Sequence, residues 1–230
     1  INNQNPSFNV KFRRAVTMAI NRQQLCDDLY KGTAQLVPTV YTLVSPVYDK
    51  SVAPLPFDVE KAKAELAASG FDTSKEITLQ VPIGNVLREQ SADLIQQNLQ
   101  AIGLNVKQQK LDFPSVLANA KKGEYEMMLL GYALNADPDY SQYFVPGGGS
   151  NFGHTDDAKL TEMMTNAALM TNADERKAAY SEIQKYMRDN QFVVSLYETD
   201  QIMAQSKNLK GGIKDFWEGS LDDLYEWHFE

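Results

Sequence analysis

The chain has 230 residues, of which 43% are hydrophobic and 23% are charged, and its formal net charge is −8. A chain of this length and composition can bury a core without disulfides or metals. The acidic balance and the scattered basic residues argue against nucleic-acid binding, which needs clustered Lys and Arg. The single cysteine, Cys26, cannot form an internal disulfide, and we interpret it as a buried structural thiol. No apolar run reaches the roughly 18 residues of a membrane span, and the opening INNQNPSFN is expected to belong to a chain already in progress.

The first 57 residues are predicted to form two helices followed by an extended connection. Apolar residues of 9–30 recur at spacings of three and four, which predicts amphipathic helices. Asn21 and Gln24 have the spacing of a capping box at the start of the second helix. Prolines in 33–57 disfavour a long helix, but the apolar residues between them predict that this segment packs over a core.

From residue 58 the predicted helices and strands alternate. Helices are expected after the N-cap Asp58 and over 86–101, 113–121, 157–170 and 174–190. Strands are expected over 76–82, 104–111, 125–134 and 192–198. The apolar stretch within 125–134 predicts a central strand covered on both faces, and the half-polar 104–111 predicts an edge or half-exposed strand. This order predicts an α/β fold with a mixed sheet flanked by helices.

The chemistry-bearing residues form no recognisable catalytic or metal-binding motif, so we expect no catalytic residue, metal or cofactor. His154 and His228 lack the spacing of metal ligands, and His154 is expected to be a loop histidine that is hydrogen-bonded to the backbone. The glycine run 147–149 lacks the residues of a phosphate loop and is interpreted as a turn. Asp137 follows the predicted central strand, where open α/β sheets bind ligands, so it is either a turn cap or a ligand contact.

Five segments resemble, in order, the peptide- and nickel-type (family 5) extracellular solute-binding proteins of bacterial ABC importers. They are FNVKFRRAVTMAINRQQL, FDVEKAKAELAASGF, IQQNLQAIGLNVKQQKLDF, KKGEYEMMLLGYALNADPDYSQYF and DERKAAYSEIQKYMRDNQFVVSLYE. Each match is modest, but together they cover almost the whole chain. The resemblance implies one lobe of the periplasmic-binding-protein type II fold, taken from a two-lobed receptor about twice this length.

The resemblance also implies an organisation, partners and a location. Residues 1–230 would be the C-terminal lobe without its N-terminal partner, and 206–230 would be a tail returning toward the hinge. Trp217 and Trp227 are expected to anchor that tail. The protein would act outside the cytoplasm, in a periplasm or lipid-anchored at the cell surface. It would be a monomer that delivers an oligopeptide or another small polar solute to ABC permease subunits in the membrane, with no nucleic-acid partner.

In this family, the strand that carries a Gly-Trp pair and the residues after it face the cleft between the lobes. The resemblance therefore implies a set of ligand-binding residues, with Asp137 as a further candidate: Gly131, Tyr132, Ala133, Leu134 and Asn135. Peptide binders of the family place an aspartate for the ligand's free amine where this chain has Asn135. A sugar, an opine-like compound or a blocked peptide is therefore an equal alternative to a free peptide. Tyr132 stands where the family has tryptophan, keeps a stacking face and adds a hydroxyl.

Two other functions remain open on the sequence. A carboxylate-dependent hydrolase would use the acids near 137–139, and Asp137→Asn would abolish its turnover. A sensor module of a transcription regulator would be fused to a DNA-binding domain. In the receptor hypothesis, two lobes hinge around a ligand that binds the closed form more tightly. One lobe alone is then expected to bind ligand weakly or not at all.

Overall fold

The computed structural model describes residues 1–135, 137–213 and 223–230. The chain divides into two compact units, Ile1–Glu198 and Thr199–Glu230, and each is considered by itself. Trp217, one of the two residues expected to anchor the tail, lies outside the described residues. In the described ranges no helix is both long enough and apolar enough to cross a membrane.

The helices agree closely with the sequence prediction. They are α1 (Val10–Ala19), α2 (Arg22–Gln24), α3 (Val59–Ser69), α4 (Val86–Ala101), α5 (Phe113–Lys122), α6 (Ser141–Phe144), α7 (Ala158–Ala168) and α8 (Ala173–Asn190). A π-helical turn, Leu25–Tyr30, continues α2, and a 3-10 turn covers Leu224–Glu226. The strands are β1 (Ala34–Gln35), β2 (Glu76–Pro82), β3 (Asn105–Leu111), β4 (Met127–Met128), β5 (Glu198–Thr199), β6 (Leu209–Lys210) and β7 (His228–Phe229).

The start of α2 shows only half of the predicted capping box. The Asn21 side chain accepts a hydrogen bond from the Gln24 N–H at 3.1 Å, as expected for an N-cap. The reciprocal bond is absent, because the Asn21 N–H donates to Asn98 Oδ1 at 2.8 Å. The Gln24 amide instead donates to Asp28 at 3.0 Å. A residue distant in sequence thus replaces the local partner.

Strand β2 is the centre of a three-stranded sheet with the order β3-β2-β4. It pairs parallel with β3 along its whole length, from Glu76 opposite Asn105 to Pro82 opposite Leu111. It also pairs parallel with β4. The α/β class and the edge position of β3 are confirmed. The sequence predicts a mixed sheet, but both ladders of this three-stranded sheet are parallel. The antiparallel pair β6–β7 belongs to the second unit.

Two predicted strands are wrong in extent. Strand β4 has only two residues and lies at the sheet edge, so 125–134 is not the central strand. The Leu129 N–H still donates to the Gln80 carbonyl at 3.0 Å, and the chain leaves the sheet after it. Residues 192–197 form no regular strand. An apolar run indicates burial, but it does not say whether neighbouring strands or packed helices provide it.

Buried side chains of the first unit form two apolar clusters. The first lies among α1, α3, α4 and the three-stranded sheet, and includes Phe12, Ile77 and Leu99. The second lies among α6, α7 and α8. Val40, Tyr41 and Val47 belong to the second cluster, so the prediction that 33–57 packs over a core is confirmed. Cys26 is a buried free thiol, as expected.

Candidate functional site

The predicted ligand-binding residues form an irregular segment that begins just beyond β4. Gly131, Ala133 and Asn135 are exposed, whereas Tyr132 and Leu134 are half-buried. This alternation is typical of an extended chain, whose side chains point to opposite faces in turn. None of the N–H groups of 131–135 donates a hydrogen bond to a described residue. The segment therefore presents N–H groups without a described partner at the carboxyl end of a parallel sheet.

Two tyrosine hydroxyls hold this segment. The Tyr140 hydroxyl donates to the Asn135 carbonyl at 3.1 Å. The Tyr143 hydroxyl donates to the Ala133 carbonyl at 3.4 Å. Tyr140 is buried in the second apolar cluster, and Leu134 packs against the same cluster. Contacts with the core thus fix the course of the segment, although its N–H groups have no partner among the described residues.

Tyr132 presents an aromatic face beside this edge. Its ring meets the Tyr143 ring edge-on, with centroids 4.7 Å apart, and lies nearly parallel to the Phe152 ring at 6.5 Å. Burial, together with the neighbouring Tyr143, raises the pKa of Tyr132 to about 12. The phenol therefore stays neutral at physiological pH and can donate or accept a hydrogen bond.

Asp137 takes the position of a turn cap. Its carboxylate accepts a hydrogen bond from the Asp139 N–H at 2.9 Å and forms an ion pair with Arg176 at 3.0 Å. The Asp139 N–H and then the Arg176 guanidinium hold the pKa of Asp137 below its usual value. The geometry is that of a turn cap, and a contact between Asp137 and a ligand stays a prediction.

Arg88 is a neighbour of residues 131–135 that no sequence pattern singles out. Its Nη2 lies 3.7 Å from the position that a Cβ on Gly131 would occupy. Arg88 belongs to the first turn of α4, which follows β2 after a short turn. Its side chain forms no ion pair or hydrogen bond with a described residue, whereas its N–H bonds to the N-cap Asn85. An arginine in a first helical turn is ordinary, and only the tertiary structure brings it to Gly131.

A hydroxyl network lies beside the same part of α4. The Tyr30 hydroxyl, at the end of the π-helical turn, donates to the Tyr197 hydroxyl at 3.0 Å. The Tyr197 hydroxyl lies 3.1 Å from the Ser91 hydroxyl, which donates to the Leu87 carbonyl at 2.8 Å. This network ties the start of α4, and with it Arg88, to two other segments of the first unit. π-Helical turns are frequent near functional sites.

Apolar side chains surround this end of the sheet without being covered. Their exposed fractions are 51% for Ile83, 69% for Val86, 36% for Leu87 and 48% for Phe113. All four follow the carboxyl ends of β2 and β3. Exposed apolar groups that gather at one end of a sheet are typical of a surface that meets a partner or ligand.

The other candidates from the sequence have structural roles. His154 Nε2 lies 2.8 Å from the Ala120 carbonyl, which confirms the expected bond to backbone. Within the described part of the chain, no group of three or more His, Cys, Asp or Glu side chains could hold a metal ion. A surface depression of about 480 Å³, lined by residues such as Tyr48, Asp49 and Ser181, contains none of the predicted ligand-binding residues.

A known protein family matches most of this chain. The family described as "Bacterial extracellular solute-binding proteins, family 5 Middle" matches residues 1–153. The chain belongs to this family. Relatives that are named as peptide-binding proteins are similar to nearly all of this chain. Di/tripeptide-binding protein 1 of Pseudomonas aeruginosa is 25% identical over 231 residues, covering 94% of this chain and 43% of that protein. Oligopeptide-binding protein AppA of Bacillus subtilis is 25% identical over 220 residues, covering 87% and 40%.

Solved structures show the same fold. AppA from Bacillus subtilis in complex with a nonapeptide superimposes with a TM-score of 0.89 at 24% identity, covering all of this chain and 49% of AppA. DppA from Helicobacter pylori in complex with the peptide STSA gives a TM-score of 0.85 at 22% identity, covering 100% and 46%. This chain thus spans less than half the length of each of these relatives. The expected periplasmic-binding-protein type II fold is confirmed.

Proposed function

We propose that this chain is a ligand-binding lobe of an extracytoplasmic substrate-binding protein of an ABC importer, and that it binds short peptides along residues 131–135. In this proposal 1–230 is the C-terminal lobe and 206–230 is the tail that returns toward the hinge. The protein acts in a periplasm or at the cell surface, and the permease is its membrane partner. The relatives that are named as di/tripeptide- and oligopeptide-binding proteins support the ligand class.

The unpaired edge of 131–135 carries the proposal. An extended peptide laid beside such an edge pairs with its main-chain groups, as in β-strand addition, and side-chain pockets then add selectivity. Gly131 allows a close approach, and Tyr132 offers a ring for stacking. The exposed apolar groups at Ile83 and Phe113 would be covered when the second lobe closes over the ligand.

The acids near the edge support binding rather than hydrolysis. A carboxylate-dependent hydrolase needs a free acid and base within reach of the substrate. Asp137 is instead paired with Arg176, and Asp139 accepts hydrogen bonds from the Ser141 N–H and hydroxyl. Both carboxylates therefore serve the turn that follows the edge.

The proposal is tested by titration calorimetry of the full-length protein that contains this chain, with di-, tri- and pentaalanine as probes. Ala133→Pro and Leu134→Pro each remove one N–H from the edge, while Ala133→Ser keeps it. Successive N–H groups of an extended chain point in opposite directions. One proline variant should therefore lose at least about tenfold in affinity, and the serine variant should bind like wild type. Wild-type protein that binds none of these peptides in either free or N-acetylated form, or two proline variants that bind as well as wild type, would overturn the proposal.

A further inference from the structure

The charges around residues 131–137 carry an inference about the ligand that rests on the function proposed above. We propose that the site selects its ligand by charge. It takes a carboxylate at Arg88 and accepts a neutral group, in preference to an ammonium, beside Asn135 and Asp137. The ligand class is then a peptide or similar acid whose amino end is blocked or uncharged.

The acids that follow the three parallel strands are already engaged. After β2, Glu89 accepts from the Gly84 N–H at 3.2 Å and pairs with Lys110 at 3.3 Å. After β3, Asp112 accepts from the Ser115 N–H at 2.9 Å. After β4, Asp137 is bound by Arg176 and by the Asp139 N–H. Glu89 and Asp137 are thus each paired with a cation, and Asp112 is bound to the first turn of α5, so each carboxylate of this set already has a partner.

The cation of the site, Arg88, has no such partner among the described residues. Arg88 has no ion pair or side-chain hydrogen bond with a described residue, and its Nη2 lies near Gly131. It projects from the first turn of the 16-residue helix α4, where the helix dipole adds positive potential. A guanidinium in this setting binds a carboxylate through two parallel hydrogen bonds. The site therefore has an uncompensated positive charge for the acid end of a ligand.

Asn135 completes the selection. It is exposed on the edge, and its side chain forms no hydrogen bond with a described residue. An amide can bond to a neutral carbonyl or N–H, but it cannot neutralise an ammonium. Closure of the site removes water, and an ammonium buried without a counter-ion is strongly disfavoured. An acylated amine in the same place loses much less hydration.

Three probes separate the charges at the two ends of one ligand: trialanine, N-acetyltrialanine and trialanine amide. In calorimetry of the full-length protein, N-acetyltrialanine should bind at least about tenfold more tightly than trialanine. Trialanine amide, which lacks the carboxylate, should bind more weakly than trialanine. Arg88→Gln should reduce the affinity for N-acetyltrialanine at least about tenfold. Arg14→Gln, which breaks an ion pair with Glu65 on α3, is the matched control and should leave it unchanged.

Asn135→Asp tests the other end of the ligand. This variant should shift the preference toward trialanine by at least about tenfold, because it supplies the missing carboxylate. Wild-type protein that binds trialanine as tightly as N-acetyltrialanine would refute charge selection while leaving peptide binding intact. An Arg88→Gln variant with unchanged affinity would refute it too, provided that circular dichroism shows a folded protein. If none of the three peptides binds wild type, the proposed function fails and the charge selection fails with it.

Discussion

Arg176 of α8 donates to the Asp137 carboxylate at 3.0 Å and thereby ties the turn after residues 131–135 to a helix of the second apolar cluster. The same guanidinium lies over the Tyr180 ring, 5.5 Å from its centroid. Tyr180 is fully buried in that cluster. The pair therefore connects the candidate binding edge to the core and neutralises the first acid that follows the edge in sequence.

Removing this ion pair should have a small effect on stability. The Asp137 side chain is 65% exposed, and exposed ion pairs contribute about 0–1 kcal/mol. Asp137→Asn keeps an oxygen for the Asp139 N–H, so the free energy of unfolding in urea should fall by less than about 1 kcal/mol. Arg176→Ala should cost more, because it also removes the contact with Tyr180. The account would be contradicted by an Asp137→Asn variant that is less stable than Arg176→Ala.

Two neighbouring glycines offer a matched test of the turn at 147–149. A Cβ on Gly148 would lie closer than 3.0 Å to the Gln142 backbone carbonyl, whereas a Cβ on Gly149 would meet nothing within 4 Å. Gly148→Ala should therefore reduce the free energy of unfolding by about 1–3 kcal/mol. Gly149→Ala should stay within about 0.5 kcal/mol of wild type. Thermal unfolding of both variants tests this difference. Equal melting temperatures would contradict the close approach of residue 148 to the Gln142 carbonyl.

Asp49 predicts a dependence of stability on pH. Hydrogen bonds from the Ser181 hydroxyl, then from the Ser51 hydroxyl and N–H, lower the pKa of Asp49 to about 2. Because the folded value lies below the unfolded value of about 3.9, the stabilisation is present above the unfolded pKa and is lost as pH falls toward 2. Urea unfolding at several pH values should show wild type losing its advantage over Asp49→Asn between pH 4 and pH 2. A difference that is constant, or that grows on acidification, would contradict the prediction.

The first apolar cluster should respond strongly to truncation. Leu99 is fully buried there, while Val44 is 87% exposed. Leu99→Ala should lower the free energy of unfolding by about 2–5 kcal/mol, since it removes transfer energy and leaves a cavity. Val44→Ala should change it by less than about 0.5 kcal/mol. Denaturant titration of the two variants provides the comparison, and similar midpoints would count against the assigned core.

Local signals explain which parts of the fold were predictable. The alternation in 76–82 and the caps at Asp58 and Gly70 depend on neighbours in sequence, and the structure has β2 and α3 as expected. The centre of the sheet was misassigned to 125–134, because its apolar residues are buried partly by helices that no local pattern reveals. The missing half of the capping box has a similar cause, since Asn98 lies far from Asn21 in sequence.

The candidate site was predictable only in part. Residues 131–135 came from a resemblance, and their unpaired N–H groups depend on where β4 ends, which the sequence does not indicate. Arg88 is ordinary in sequence and becomes a site residue only through its distance from Gly131. The engagement of Asp137 likewise requires Arg176, which lies in a different helix. Charge balance at a site is a tertiary property.

The irregular segment 192–197 has a consequence for how the first unit unfolds. Phe192 and Val193 pack in the second apolar cluster, whereas Val194, Leu196 and Tyr197 pack against the first. Because this segment packs against both clusters, exposure of either cluster must displace residues 192–197. We therefore expect amide hydrogens in α4 and in α8 to exchange with a common opening free energy, so that this unit melts as a single cooperative foldon.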